Sequence, residues 1–310
     1  MSAMRDALRD YLAMRRALGF KLAGEGTRLL SFIDFLEQAE AEYISTDQAL
    51  AWAQMPTSVQ PAQWARRLSF VRGFARYCAA FDQRTEIPPA GLLPFHYQRP
   101  TPYLFSDDDI RALLLAALEL RARDGLRNHT YHCLFGLLSV SGLRISEALG
   151  LTMDDVDIDD AILTIRSSKF GKSRLVPLDA STVKVLVDYR ERRARFLAKR
   201  QVQHWFVDRT GAQLGYDAVD AVFHRLTTKL GLVGQNERRR PHLHDLRHRF
   251  AVTTVLRWYR DGQDVERRLP VLSAYLGHVE VRDTYWYLSA CPQLLAAAKD
   301  RLEQHWEAAP

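Results

Sequence analysis

The chain has 310 residues and a formal net charge of +6, and this length favours two domains or one large one. The hydrophobic share of 47% is ordinary for a globular protein, so each half can bury a core of its own. The positive charge suggests a polyanionic partner. Residues 1–100 carry 12 Lys+Arg against 10 Asp+Glu, so the excess charge is spread along the chain rather than held in a basic tail.

The sequence argues against a secreted or membrane protein. Cys78, Cys133 and Cys291 lie far apart without metal-ligand spacing, and the first two fall in apolar helical stretches where buried thiols are expected. The first 20 residues lack the apolar core of a signal peptide, and no window reaches about 18 consecutive apolar residues. We therefore expect no metal, no cofactor and no membrane partner, and a cytoplasmic, nucleoid-associated location.

Four amphipathic helices are predicted in the first 81 residues, at 5–18, 25–40, 48–55 and 61–81. Ser45-Thr46-Asp47 can cap the third. The fourth carries four arginines, which form either a solvated face or a face that contacts phosphates, and the pattern alone favours neither. These candidates are Arg66, Arg67, Arg72 and Arg76.

A proline-rich stretch without helical periodicity separates this region from the rest of the chain. It predicts a domain at 1–90, a linker at 91–102 and a domain at 103–310. Ser106 and the acidic residues after it predict a helix start. Further helices are expected at 107–123, 129–139, 145–149, 180–201, 216–230, 243–260, 270–276 and 292–307, with strands at 155–157, 161–166 and 173–178.

The second domain contains residues suited to phosphoryl transfer. Such chemistry needs fixed positive charge around the phosphate, a nucleophile and a group that protonates the leaving oxygen. No convincing metal cluster is evident, so arginines are the alternative source of charge. The candidates are individually weak because each occurs often in other settings. In chain order they are Arg144, Lys169, His244, Arg247, His278 and Tyr287.

Together these residues and their surroundings resemble the tyrosine recombinases, or phage integrases, including the Xer-like enzymes. Five separated motifs follow that family's order and spacing through residues 103–290. They are Gly142–Leu151, Ser168–Leu178, His244–Ala251, Leu276–His278 and Tyr287. The resemblance implies a mainly α fold with a small antiparallel β-sheet, formed by a helical, SAM-like core-binding domain at 1–90 and a catalytic domain at 103–310.

The resemblance also implies a role for each residue. Arg144 and Arg247 would bind the scissile phosphate, and Tyr287 would attack it to form a 3′-phosphotyrosine and release a 5′-hydroxyl. Lys169 would protonate the departing oxygen. His244 would hydrogen-bond the phosphate or accept the tyrosine proton, and His278 would donate to a phosphate oxygen.

The remaining implications concern supporting residues and partners. Glu147 would orient a neighbouring side chain. The implied partner is double-stranded DNA with paired inverted-repeat sites, bound by a homotetramer without a cofactor.

Several alternatives remain open. Tyr285 competes with Tyr287, although the spacing from His278 favours Tyr287, and Lys172 competes with Lys169. Asp283-Thr284 stands where the family often has two threonines, and the segment 258–268 is longer than the common connection. The apolar face formed by residues 294, 295, 298 and 302 could pack on its own domain or be exchanged between protomers.

The expected function is site-specific recombination for the integration, excision or resolution of a mobile element. A type IB topoisomerase would share these catalytic residues, and a DNA-binding factor that has lost catalysis would share the fold. The small helical domain and compact length favour a recombinase over a topoisomerase. All six catalytic positions hold chemically apt residues, which argues against an inactive factor.

Overall fold

The computed structural model describes residues 3–20, 22–95, 101–122, 125–166, 173–198, 200–232, 240–278 and 284–285, together with residues 294, 296 and 299. It divides into two compact units, residues 1–100 and residues 101–310. No helix in the described ranges combines the length and apolar character needed to cross a bilayer.

The first unit is built from four helices: α1 Ala3–Ala17, α2 Ala23–Gln38, α3 Thr46–Gln54 and α4 Pro61–Cys78. All four predicted helices are confirmed, with ends displaced by at most a few residues. Ser45 caps α3 as expected, because its hydroxyl accepts from the Gln48 amide while the Gln48 side chain accepts from the Ser45 amide.

Large apolar side chains from all four helices form the core of the first unit. Phe32, Trp52 and Phe74 are at most 1% exposed, and the Phe32 and Trp52 rings lie 5.2 Å apart. Burying each such side chain contributes roughly 1.5–3 kcal/mol. The Cys78 thiol is buried beside them, and burial raises its pKa to about 12.

The second unit is mainly helical, with one three-stranded antiparallel sheet in the order β1-β2-β3. Leu163 pairs with Val156 and Val176, so the three buried side chains share one face of the sheet. This agrees with the expected fold class. Its elements are α5 Asp107–Leu118, α6 Arg127–Ser141, α7 Ile145–Gly150, β1 Val156–Asp157, β2 Ile162–Ile165, β3 Arg174–Pro177, α8 Ala180–Leu197, α9 Tyr216–Lys229, α10 Leu243–Arg260 and α11 Val265–Leu276.

Three predicted helix boundaries were wrong, two at C-termini and one at an N-terminus. Helix α5 stops at Leu118, where the chain tightens into a turn closed by the Leu120 amide and the Ala117 carbonyl. Helix α8 stops at Leu197, because Ala198 has a positive φ of 52°. Helix α11 starts at Val265 rather than Pro270, since the Asp264 side chain caps the Arg267 amide and the proline is accommodated inside the helix.

Helix α6 runs through the core of the second unit and packs against α5, α8 and α10. Leu134, Phe135 and Leu138 are at most 2% exposed, and so is Cys133. The helix ends at Gly142, whose φ of +61° places it in the left-handed conformation that is common at helix C-termini. The buried helix therefore fixes the position of Arg144, which follows Gly142 by two residues at the start of α7.

Candidate active site

Arg144 lies at the N-cap of α7 with its side chain 21% exposed. Its backbone amide donates to Glu147 Oε2 at 2.9 Å, and its Nη1 donates to Glu147 Oε1 at 2.8 Å. Its Nη2 donates to the Gly277 carbonyl at 2.8 Å, so α7 and the end of α11 hold one guanidinium. An arginine carries five N–H donors, and these side-chain bonds leave capacity for an anion.

Glu147 is held by a second arginine, Arg174, at the start of β3. The Arg174 Nη1 and Nη2 atoms donate to the two carboxylate oxygens at 3.0 and 2.7 Å. Burial would raise the pKa of Glu147, but the hydrogen bonds from Arg174 and Arg144 lower it to about 2. Glu147 is therefore ionised at neutral pH and connects the β-sheet to Arg144.

Arg247 lies in the first turns of α10 and is 1% exposed. Its Nη1 donates to the Gly142 carbonyl at 2.8 Å and its Nη2 to the Leu276 carbonyl at 2.6 Å. These carbonyls belong to the C-terminal ends of α6 and α11, where the helix dipole is negative. Two helix ends thus compensate the cost of burying this charge.

Glycines allow both helix ends to approach the arginines. Gly142 and Gly277 have φ of +61° and +67°, which other residues rarely adopt. A Cβ atom at Gly277 would lie 2.9 Å from Arg174 Nη1 and 3.4 Å from Arg144 Nη1. The backbone at Gly277 therefore packs directly against both guanidinium groups.

His244 is one turn before Arg247 on α10. Its ring meets the His248 ring edge to face at 4.7 Å. Burial among these groups and the positive charges of Arg247 and Arg144 lower the pKa of His244. The residue is also open to solvent on one side, which limits the effect of burial. The imidazole is therefore neutral near pH 7 and can accept a proton.

His278 directly follows the Leu276-Gly277 segment that binds the two arginines. Its Nδ1 atom lies 2.8 Å from the hydroxyl of Thr284, a residue that is fully buried. When that hydroxyl donates to Nδ1, the ring carries its proton on Nε2. Tyr285, the next residue, is 49% exposed.

A further tyrosine, Tyr275, lies near this cluster on α11. Its ring stacks on Phe250 with centroids 5.5 Å apart. Burial raises the pKa of Tyr275 to about 12, although Arg174 and Arg247 act in the opposite direction. The phenol is therefore protonated at neutral pH and poorly suited to act as a nucleophile.

The structure thus brings together four predicted site residues, Arg144, His244, Arg247 and His278, with Glu147 beside them. Lys169, the competing Lys172, and Tyr287 lie outside the described residues, as do Cys291 and most of the predicted helix 292–307. Within the described part of the chain, no group of three or more His, Cys, Asp or Glu side chains is arranged to hold a metal ion.

The four arginines of α4 differ in their surroundings. Arg67 lies 3.7 Å over the Trp52 ring and donates to the Trp52 carbonyl, and Arg72 donates to the Pro88 and Pro89 carbonyls. Arg66 and Arg76 are exposed. Two of the predicted phosphate contacts therefore hold their own unit together, and two are available at the surface.

Arg174 and Thr284 are contacts of the site that sequence reasoning did not identify. Arg174 stands in the same motif as Lys169, and its signal was a single arginine at the start of a short strand. Thr284 was noted only as a departure from a common threonine pair. Neither spacing nor periodicity indicates that these side chains contact Glu147 and His278.

Comparison with known proteins agrees with this geometry. The phage integrase family model matches residues 105–293. A protein of Sinorhizobium fredii named integrase/recombinase y4rB is 51% identical, with 99% of each chain aligned. The tyrosine recombinase XerD of Caulobacter vibrioides is 30% identical, with 95% of this chain and 94% of that one aligned.

A solved structure shows the same fold. A lambda integrase tetramer bound to a Holliday junction superposes with a TM-score of 0.64 at 16% identity, covering 91% of this chain and 76% of that one. The sequence matches show that the chain belongs to the phage integrase family of tyrosine recombinases and is a site-specific DNA recombinase.

Proposed function

We propose that this recombinase cuts and rejoins DNA through a 3′-phosphotyrosine on Tyr287. The observation that carries the proposal is the grouping of Arg144 and Arg247 around one backbone segment that continues directly into His278. Three donor side chains in one place suit the transition state of phosphoryl transfer, in which negative charge spreads over the phosphate oxygens.

The proposed reaction exchanges one phosphodiester for another, so that the strand can be rejoined without an outside energy source. The Tyr287 oxygen attacks phosphorus, the bond from phosphorus to the 5′ oxygen breaks, and the 3′ phosphate becomes a tyrosyl ester. A tyrosine hydroxyl has an ordinary pKa of about 10, so its proton needs an acceptor near neutral pH. The neutral His244 imidazole suits that role, and Lys169 would supply a proton to the 5′ oxygen. Attack by a 5′-hydroxyl then reverses the step and reseals a strand.

Helical spacing supports Tyr287 over Tyr285. Thr284 and Tyr285 are both helical, and Thr284 contacts His278 whereas Tyr285 is exposed. Residues three apart share a helix face, while adjacent residues are about 100° apart. Tyr285 therefore lies on a different helix face from Thr284, which contacts His278, and the nine-residue spacing from His278 supports Tyr287.

The proposed partners follow from the family. We propose that the protein binds paired inverted-repeat sites in double-stranded DNA as a homotetramer, in the cytoplasm and associated with the nucleoid, and that it moves or resolves a mobile element. The lambda integrase tetramer on a Holliday junction and the XerD relative support this assignment. The domain predicted at residues 1–90, within the first unit, would bind the DNA as the core-binding domain.

A nicked substrate tests the nucleophile. Inverted repeats found beside the gene are placed in a duplex with a nick that lets the cleaved fragment diffuse away, and the covalent adduct is measured on a denaturing gel. We expect adduct with the native protein and with Tyr285→Phe, and none with Tyr287→Phe, although that variant still binds the duplex. An adduct that disappears only in Tyr285→Phe moves the nucleophile by two residues.

Strand exchange between two repeat-bearing plasmids tests recombination. Relaxation of supercoils without exchange would favour a topoisomerase, and absence of any adduct with Tyr287 intact would favour a DNA-binding factor without catalysis.

A further inference from the structure

The second unit contains a cavity of about 710 Å³ at the beginning of α6, lined also by α9 and by the loop 207–214. Arg127 at the start of α6 lines it, whereas Arg144 lies just beyond the other end of that helix. Fifteen residues of α-helix span about 22 Å. The cavity is therefore separate from the candidate active site.

The cavity combines an apolar floor with a basic rim. Apolar side chains form the floor, and the basic residues that line the cavity are all arginines. The floor includes Leu126, Tyr131, Leu214 and Val222, and the arginines are Arg121, Arg127, Arg209 and Arg225.

The positive charge of the rim is poorly neutralised. Within the described residues, no carboxylate forms an ion pair with Arg121, Arg209 or Arg225. Asp208 is the acidic residue of the lining, and its Oδ1 atom accepts from the amides of Thr210 and Ala212 within its own turn. Among the described lining residues, these three arginines therefore face a single carboxylate, that of Asp208.

Arg127 adds a preorganised donor group. Its guanidinium lies 5.7 Å from the Tyr131 ring centroid, and its Nη1 donates to the Arg121 carbonyl. Stacking and a backbone bond restrict this side chain, so less conformational entropy is lost when it binds an anion.

The shape and lining select the class of ligand. Small-molecule sites are concave, about 300–1,000 Å³ in volume and mostly apolar, with a few polar groups that fix the ligand's orientation. The apolar floor suits a planar base, and several guanidinium forks suit a chain of phosphates. Duplex DNA suits it less, because its phosphates lie on a convex cylinder and its bases cannot enter the cavity floor.

We propose that this cavity binds a nucleoside di- or triphosphate, with the base on the apolar floor and the phosphates against the arginine rim. The ligand class goes beyond the recombination reaction, and the site does not depend on the assignment of any catalytic residue. Binding at the start of α6 would also stabilise the helix that positions Arg144.

Calorimetric titration of the full-length protein with ADP, ATP and GTP tests the proposal, with pyrophosphate and adenosine as partial ligands. The double variant Arg121→Ala, Arg225→Ala removes two exposed rim charges, and the matched control Arg190→Ala, Arg257→Ala removes two exposed charges that do not line the cavity. We expect the first to weaken nucleotide binding by at least about tenfold and the second by less than about twofold.

A charge-neutral variant separates shape from electrostatics. Ala221→Trp places a large ring at an exposed position of the lining and leaves every arginine in place. We expect it to weaken nucleotide binding as strongly as the double variant does, while its unfolding temperature without ligand stays near that of the native protein.

Four results would overturn the proposal. They are no binding of any nucleotide, equal weakening by the matched control, pyrophosphate binding as tight as that of ADP, and unchanged binding in Ala221→Trp. If no nucleotide binds and the double variant instead weakens duplex binding more than the control does, the arginines are a DNA contact.

Discussion

Arg144 and Arg247 donate to the carbonyl oxygens of two consecutive residues, Gly277 at 2.8 Å and Leu276 at 2.6 Å. Because the two carbonyls are one residue apart, the Gly277 dihedrals, φ +67° and ψ +40°, set the separation between the two guanidinium groups. The next residue in the chain is His278. One short turn at the end of α11 therefore fixes the relative positions of three side chains of the candidate site.

Gly277→Ala is expected to damage cleavage more than folding. The added Cβ would lie 2.9 Å from Arg174 Nη1, and the flexible guanidinium can move away at little cost to stability. That movement disturbs the arginines, and a displacement of about 1 Å can cost roughly a hundredfold in rate. The measurement is the rate of covalent adduct formation on the nicked substrate.

Gly262→Ala is the matched control for this variant. Gly262 has a φ of +66°, nearly that of Gly277, but no atom of the described residues lies within 4 Å of its added Cβ. Both variants carry the same backbone strain of about 1–2 kcal/mol. Equal loss of cleavage in the two variants would show that strain, rather than displacement of the arginines, is responsible.

Arg174→Lys is expected to lower the cleavage rate by about tenfold while DNA affinity stays unchanged. A lysine keeps the charge but cannot bind both Glu147 oxygens, which Arg174 holds at 3.0 and 2.7 Å. Glu147 would then hold Arg144 less firmly. Arg192→Ala, which removes a half-exposed ion pair with Asp188, is the control and should cleave normally. Native cleavage by Arg174→Lys would mean that this contact supports folding alone.

Glu147→Gln is expected to change how stability depends on pH. The pKa of Glu147 is lowered to about 2 in the folded protein, from an ordinary value of 4.5. A lowered carboxyl pKa stabilises the folded state above pH 4.5, and this contribution is lost as pH falls towards 2. The shift corresponds to roughly 3 kcal/mol. In denaturant unfolding, the free energies of unfolding of the native protein and the variant should therefore differ at pH 6 and become similar near pH 2. A difference that does not depend on pH would contradict the assignment.

The helices and strands were largely predictable from the sequence because their signals are local. The Ser45 and Ser106 caps, the apolar periodicity of α2 and α6, and the alternating strands all act within a few residues. The prediction failed at Pro270, because it took the proline as a helix start, whereas the Asp264 cap begins the helix more than one turn earlier.

The site was predictable only as a set of motifs. Arg144, His244, Arg247 and His278 were found by their order along the chain, but their mutual contacts depend on tertiary packing. The Gly142 and Leu276 carbonyls bind Arg247 from positions 105 and 29 residues away. Every residue has a backbone carbonyl, so the residue types in a sequence do not show which carbonyls bind an arginine. This part of the site could therefore not be predicted.

Thr284→Val is expected to slow cleavage by about tenfold because it removes the hydroxyl 2.8 Å from His278 Nδ1. The imidazole would then lose a contact that fixes its orientation and tautomer. Thr284→Ser keeps the hydroxyl and should retain most of the activity. Thr254→Val removes a hydroxyl that bonds only within α10 to the Phe250 carbonyl and should cleave normally. If the serine and valine variants are equally slow, the threonine methyl group rather than its hydroxyl is what matters.

The arginines of α4 should separate into two classes in a DNA-binding titration across salt concentrations. Arg66 and Arg76 are exposed, and each phosphate contact contributes about 0.9 to the slope of log affinity against log salt. Removing both should lower that slope by up to about 2 without loss of stability. Removing Arg67 should leave the slope unchanged and lower the unfolding temperature, since it loses the stacking on Trp52 at 3.7 Å. A slope that falls only in Arg67→Ala would show that the arginine stacked on Trp52, and not the exposed pair, contacts the DNA backbone.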